Sequence, residues 1–535
     1  MKKRITAAAA ALIIAVSVLA CGGLSHASTG TDGTSKGSTD PGAPVLFVRS
    51  RNLSLFDDLY AIALGSYQNI ILTPESAEQN PELDQALITL NTKLTEDALS
   101  LFKEMSDASQ SAWDELPEKT HDFQYGNMDY SIKLIRCDQQ VLSFFDYCDT
   151  FYTGAAHGYT GISGYNYDAA SGKELTLSDV FADPSALAPV IAKGLRYTSD
   201  GSLVSENESE DTFGDVEKTI KKELTDDSYS IAWAIDQDGV TFRFAPDDLL
   251  PHAAGILESH ILFSSSADLF VEGFTSFKGG YARQLTAYDD NRVDLNGDGE
   301  LDSVQVSSVT SEENDYQNVA IRISVNGKEL TSDASFFNLK PVLVHTEEGK
   351  NYIYAQISGD NDYKKLLVFD INGDTPVKVD EMDNTGFSYY YHYTDSNLED
   401  SYIDDYPMLY PENFSLNSRM NILAEFSASR EFKVGENGMP EATTTYYKAN
   451  GYLPLSFKID MTCDLVDPET ESDAGKTVDV PAGTMCTIWC TNGFNAVDLM
   501  LDDNRIVRIY VETDWPQTVN GMRVEDVFDG TFFAG

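Results

Sequence analysis

The sequence predicts an α+β N-terminal domain followed by mainly antiparallel β domains in one multidomain chain. Three observations carry this reading. Leu83, Leu87, Leu90, Leu94, Leu101 and Met105 recur at helical spacing, the stripe through which a helix covers a core. Elsewhere short apolar runs flank turn clusters such as Asp138-Gln139-Gln140 and Asp236-Gln237-Asp238-Gly239, the spacing of hairpins. With 535 residues, 42% of them hydrophobic, and with 28 Tyr and 27 Phe, the chain can fill two to four separate cores.

The first residues speak to location. Lys2, Lys3 and Arg4 precede an apolar run at 7–19 that is too short to span a bilayer comfortably. It ends in Val18-Leu19-Ala20-Cys21-Gly22, which resembles a bacterial lipoprotein cleavage box. Residues 1–20 are therefore expected to be a lipoprotein signal peptide, with Cys21 diacylated after cleavage. The competing reading is an ordinary signal peptide cut near Ser25-His26-Ala27. Either way the protein is expected outside the cytoplasm; in the first case it is lipid-anchored to the bacterial cell membrane. Residues 21–44 are rich in Gly, Ser and Thr and read as a flexible linker. A tether of that length reaches about 25 Å on average.

Residues 45–268 read as one α+β domain. Pro81 suits the first turn of the striped helix. Residues 130–135 and 141–145 form a hairpin around Asp138-Gln139-Gln140. A loop punctuated by Gly154, His157, Gly158, Gly161 and Gly164 follows, then a Ser171-Gly172-Lys173 turn. Ser178-Asp179 is a candidate helix cap. A second hairpin joins 229–235 to 240–244.

Three segments of this domain carry a family resemblance. They are the G-A-x-H-G loop at 154–158, the N-x-D-x-x-S-G-K-x-L-x-L-x-D-x-F run at 166–181, and the F-x-P-x-x-L-x-P-x-A-A-G segment at 244–255. In this order they resemble the extracytoplasmic domain of the anti-sigma factor RsiV, also found beside the deacetylase module of the peptidoglycan deacetylase PdaC. The resemblance implies an α+β domain that binds a lysozyme-type basic protein. Gly154, His157, Gly158 and Tyr159 are the candidate ligand-binding residues. Asp247 and His252 fall where aromatic residues are common in the family. The T-F-D-D-G-type motif of the deacetylase module does not occur; Phe56-Asp57-Asp58-Leu59 stands in a different context. Read by itself, His157 is either an exposed base or metal ligand, or a histidine that hydrogen-bonds its own loop into shape. The second role is the commoner one. No G-x-S-x-G or H-E-x-x-H accompanies it, so no catalytic residues are assigned.

The formal net charge is −49, and loss of Lys2, Lys3 and Arg4 with the leader takes it to −52. No basic footprint exists for nucleic acid. The acidic field favours cationic partners and divalent ions. Cys137, Cys148, Cys463, Cys486 and Cys490 are odd in number, so at least one is free or pairs between molecules, and the sequence leaves the pairing open. Cys486 and Cys490 would stand about 13 Å apart along a strand, too far to bridge each other.

Residues 276–435 read as a β-rich domain with a calcium-type loop. Asp294, Asn296, Asp298 and Asp302 occupy relative positions 1, 3, 5 and 9, Gly299 position 6, and Glu300 position 7 offers its backbone carbonyl. That is the oxygen spacing of a Ca²⁺ loop, although Gln305 stands where an EF-hand has Glu. Bound Ca²⁺ would be structural; a solvated acidic turn is the plainer alternative. Asp370-Ile371-Asn372-Gly373-Asp374 echoes the motif and reads as a hairpin turn without metal. Tyr389-Tyr390-Tyr391-His392-Tyr393 reads as a half-buried strand edge, with a carbohydrate platform as the alternative. Whether this region is a sandwich or a propeller stays open. Residues 448–535, with short strands and a Pro481-Ala482-Gly483 turn, resemble an SH3-like β-barrel domain.

The expected function is that of a surface-anchored, non-enzymatic binding lipoprotein of the cell envelope, its ligand a lysozyme-type basic protein or a wall glycan. Two alternatives remain: a peptidoglycan-modifying or hydrolytic enzyme using carboxylates as acid and base, and a structural or protein-interaction spacer.

Overall fold

The computed structural model describes residues 43–120, 122–225, 231–274, 277, 279–311, 314–387, 389–393, 401–405, 410–468 and 470–533. The leader, Cys21 and the linker up to residue 42 lie outside the described residues, as do Tyr229 and Ser230 of the second hairpin.

The striped segment forms a long helix, Pro81–Glu115, with Pro at its start and Glu82 and Asp84 in its first turn, where the helix dipole favours negative charge. Leu83, Leu87, Leu90, Leu94 and Met105 are buried, whereas Leu101 is only half-buried. Trp113 closes the helix, its Nε1–H donating to Asp57 Oδ2 at 2.6 Å. Each buried leucine contributes roughly 1.5–3 kcal/mol, and truncating one to Ala costs about 2–5 kcal/mol.

The helix packs on a seven-stranded sheet. The order is Tyr389–Tyr393, Ser401–Asp405, Leu46–Asp57, Tyr60–Leu72, Gly126–Cys137, Val141–Phe151 and Tyr159–Asp168. Tyr60–Leu72 and Gly126–Cys137 run parallel, because the helix between them carries the chain back across the sheet. The predicted hairpin around 138–140 is present in register, with Tyr130 opposite Cys148. Gly161 and Gly164, expected in the loop, lie within the strand Tyr159–Asp168. Gly164 is small for a reason: a Cβ there would meet the backbone oxygen of Trp233 at 2.1 Å. The short helix Leu177–Val180 is capped by Thr176, and Asp179 reaches back to the Thr176 N–H at 2.9 Å. The cap therefore lies two residues before the expected Ser178, and Asp179 is the acidic half of a capping box.

A second sheet, in the order Arg196–Tyr197, Leu257–Leu262, Gly239–Phe244, Ala232–Ile235, packs against helices Ala188–Gly194 and Glu210–Thr225. Polar side chains stitch it to the first sheet. Asn166 donates to the Trp233 carbonyl at 2.9 Å, and the Ile235 N–H donates to Ser143 Oγ at 2.8 Å.

The described residues beyond this are mainly antiparallel β, as predicted, stacked in layers. A four-stranded sheet, Asp290–Val293, Asp302–Ser311, Asn314–Val325 and Lys328–Phe336, faces a five-stranded one, Tyr281–Gln284, Asn338–His345, Asn351–Ser358, Lys364–Asp370 and Val377–Asp383. Val304, Ile321, Ile353 and Phe369 fill the space between them, so this part is a sandwich. The other face of the five-stranded sheet buries Tyr354 and Val368 against Phe414 and Phe432 of a third, twelve-stranded sheet. The turn at 370–374 joins antiparallel strands, as expected.

The sheets cross the boundaries drawn from the sequence. Ser401–Asp405, assigned to the middle region, pairs with Leu46–Asp57 of the first. Phe414–Ile422, Ala424–Val434, Met485–Thr491 and Phe528–Asp529 share the twelve-stranded sheet, so the last region is not a barrel standing alone. The described residues group as one compact unit.

Candidate functional site

The signature loop and the closing segment meet at an exposed edge of the first region. Val141–Phe151 and Tyr159–Asp168 pair as neighbours, and residues 152–158 connect them. Gly154 supplies the positive φ of +79° that the turn requires. Gly158 passes so close to the neighbouring strand that a Cβ would lie 3.0 Å from the Thr150 carbonyl oxygen. His157 then projects outward, its Nδ1 2.9 Å from the Gly158 oxygen. Its ring lies 4.2 Å from that of His252, centroid to centroid, tilted by 33°.

His252 opens a short 3₁₀ turn, His252–Ala254, and its Nδ1 sits 3.0 Å from Asp247 Oδ2. Asp247 takes a left-handed conformation, φ +73°. Asp248 anchors the segment by accepting the Ala245 N–H at 2.8 Å, and burial, then the nearby Asp247 charge, push its carboxyl above the usual range. Tyr159 is 61% exposed beside this pair. Partial burial, then the Asp248 charge, raises its pKa. Gly154, His157, Gly158 and Tyr159 thus lie together, and His252 with Asp247 joins them. The sequence named both segments but gave no sign that they touch.

The 294–302 loop has the turn geometry its spacing predicts. Asp294 Oδ1 accepts the N–H of Gly297 at 2.7 Å and of Asp298 at 3.2 Å, and Oδ2 that of Gly299 at 3.0 Å. Asn296 accepts from Asp298, Asp298 from Glu300, and Asp302 from Leu295. These oxygens face the loop's own N–H groups. Among the described residues, the three-residue carboxylate, thiolate or imidazole group whose donor atoms converge within 4.8 Å is a different one: Asp236, Asp238 and His260.

The sequence presents Asp236 and Asp238 only as turn residues and gives no cue to His260, so this group emerges from the structure alone. It is buried, and it is compensated by cations. His260 Nε2 is 3.2 Å from Asp238 Oδ1, and Arg283 Nη1 is 3.1 Å from Asp236. Thr241 Oγ1 bridges Asp236 Oδ2 at 3.1 Å and His260 Nδ1 at 3.0 Å. Burial opposes charge on both partners of the Asp238–His260 pair, but their mutual attraction wins. Asp238 is held below its ordinary value and His260 above its own. Asp238 Oδ2 also accepts the Asp294 N–H at 3.2 Å, so the calcium-type loop is joined directly to this lattice. The one local signal is the D-x-D-G spelling of the turn; His260 has none, since it arrives from the neighbouring strand.

Part of the chain is similar to solved structures. A DUF3298-family member from Bacteroides fragilis shares 15% identity, covering 43% of this chain and 95% of that chain with a TM-score of 0.31. A DUF3298-family protein from Pseudomonas aeruginosa shares 15% identity, covering 43% of this chain and 96% of that one with a TM-score of 0.28. No family model and no curated protein matches the chain. Likenesses of this strength transfer no activity.

All five described cysteines, Cys137, Cys148, Cys463, Cys486 and Cys490, are free thiols. Burial, and then the Asp138 charge, push the Cys137 thiol up to about 12, which makes it unreactive. The side chains of Tyr389–Tyr393 lie outside the described residues; the backbone is an edge strand of the first sheet.

Proposed function

We propose that the protein is a surface-anchored binding lipoprotein without enzymatic activity, held to the bacterial membrane by acyl chains on Cys21 and carrying an RsiV-like first domain. Its ligand is a lysozyme-type basic protein or a wall glycan. The observation that carries this reading is the exposed edge where the signature loop meets the closing segment. The His157–His252 pair, Tyr159 and Asp247 present aromatic faces and a carboxylate on backbone fixed by Gly154 and Asp248. Such a preorganised surface loses little entropy on binding. The net charge of −49 steers a basic partner towards it. Ca²⁺ held by Asp294, Asn296, Asp298, Asp302 and the Glu300 carbonyl would neutralise clustered carboxylates and stiffen the loop.

The test is calorimetric titration of the chain from residue 22 onward with a c-type lysozyme, beside a control protein of equal positive charge and across a salt series. Saturable binding is expected that outlasts salt, spares the control and weakens at least tenfold, about 1.4 kcal/mol, in a His157→Ala, Tyr159→Ala double variant. Equal, salt-erased binding of both proteins would reduce the effect to bulk charge.

A further inference from the structure

A cleft of about 490 Å³ opens where the first sheet, the second sheet and the β stack meet. None of Gly154, His157, Gly158, Tyr159, Asp247 and His252 lines it, and its chemistry is independent of the function proposed for that edge. Its volume falls within the range of small-molecule sites, and seams between structural units are where such sites form. The first sheet contributes Ser131, Lys133 and Asp149, the second Arg243, and the stack Gln284 and Thr286.

The cations are what distinguish it. Arg243 is satisfied by Glu258 at 2.6 Å and by the Tyr147 hydroxyl, and Arg283 behind it by Asp236 at 3.1 Å. Lys133 meets a hydroxyl instead: its Nζ donates to Thr286 Oγ1 at 2.5 Å, and among the described residues it forms no ion pair. Burial, then repulsion by Arg243 and Arg283, hold its ammonium well below the usual lysine range. Asp289 stands on the same wall, and burial raises its carboxyl above the ordinary range. Lys133, Arg243 and Lys340 stand beside Asp149 and Asp289 in the lining, so the cleft carries both signs of charge inside a chain of net charge −49.

We propose that this cleft binds a small hydroxylated organic anion, the carboxylate seated on Lys133 and the hydroxyl groups on Ser131, Gln284 and Asp289. Ile256, Ala287 and Leu339 give the apolar wall against which a ring of monosaccharide size would lie. The anion supplies the contact ion pair that Lys133 lacks, since the Glu258 and Asp289 carboxylates act on it only from beyond ion-pair distance, and binding takes up a proton onto its amine.

The experiment titrates the full chain with glucuronate and, separately, with glucose, a matched ring without the carboxylate, at constant ionic strength. Glucuronate is expected to saturate below about 10 mM and glucose not to bind. The heat of glucuronate binding should vary with the buffer's ionisation enthalpy, reporting proton uptake. Lys133→Met should weaken glucuronate at least tenfold while leaving the unliganded melting temperature unchanged or higher, because a buried amine that is costly to desolvate has been replaced by an apolar chain of similar length. Should that variant fail to fold, glucuronate but not glucose should shield Lys133 of the unaltered chain from acetylation, read by mass spectrometry. No saturation by glucuronate, equal binding of glucose, or full affinity in Lys133→Met would each overturn the proposal, as would unchanged acetylation of Lys133 under saturating glucuronate.

Discussion

The chain spells nearly the same turn twice, Asp294-Leu295-Asn296-Gly297-Asp298 and Asp370-Ile371-Asn372-Gly373-Asp374, and the two copies lead different lives. In the first, Asp294 is 8% exposed, gathers three backbone N–H groups, and gives its own N–H to Asp238 of a buried charge lattice. In the second, Asp370 Oδ1 accepts from Asn372, Asn372 exchanges two hydrogen bonds with the Asn351 backbone, and the loop simply reverses a hairpin. An oxygen-rich turn thus acquires consequence from what stands behind it. Arg283, Asp236, Asp238 and His260 stand behind the first; the start of the central strand Asn351–Ser358 stands behind the second.

The sharpest test of this contrast removes the cation that holds the lattice. Arg283→Met leaves Asp236 without its buried partner and is expected to cost about 3–5 kcal/mol, read from the denaturation midpoint at constant slope. A cost under about 1 kcal/mol would mean that the lattice is not stabilising the seam. Calcium comes next. At about a hundred times its dissociation constant, Ca²⁺ should stabilise the chain by about 2.7 kcal/mol, a gain lost in Asp294→Ala and kept in Asp370→Ala. A melting temperature indifferent to calcium and chelator would make both loops plain turns. Without calcium, Asp294→Ala should still cost about 2 kcal/mol, since three N–H groups lose their acceptor, against about 0.5 kcal/mol for Asp370→Ala.

Protonation gives the smallest and most specific effect. His260 is raised above its unfolded value, so its contribution is complete below about pH 6.5 and is lost as pH climbs through the higher folded value. Stability should fall there by up to about 1.4 kcal/mol per pH unit, and His260→Gln should flatten that slope. Asp238 works at the other end: held at about 2, its contribution is present above the ordinary carboxylate range and disappears as pH falls from about 4 towards 2. Neither titration should respond to Asp370→Ala.

Some of this is legible in the sequence and some is not. The helix Pro81–Glu115 announces itself because Leu83, Leu87, Leu90 and Leu94 share one face through the helix repeat alone. Hairpins around 138–140, 236–239 and 370–374 are equally plain, because the turn residues and the flanking alternation are adjacent in sequence. The cap at Thr176 falls two residues from its expected place, since Thr, Ser and Asp all stand nearby and only the backbone decides which of them caps. His157 stands out from its glycines, yet nothing marks His252 as its partner, and His260 carries no local signal at all.

What the sequence determined by itself is therefore everything set by neighbours along the chain: the helix, the hairpins, the acidic balance and the oxygen spacing of the 294–302 loop. Tertiary structure alone decided that Ser401–Asp405 completes the first sheet, that His157 meets His252, that Arg283 neutralises Asp236, and that Lys133 faces a cleft with a hydroxyl for company. The reason is physical. Periodicity and turn chemistry fix contacts a few residues apart, whereas a sheet edge offers the same N–H and C=O groups to any strand, and a buried charge takes whichever partner packing brings within reach.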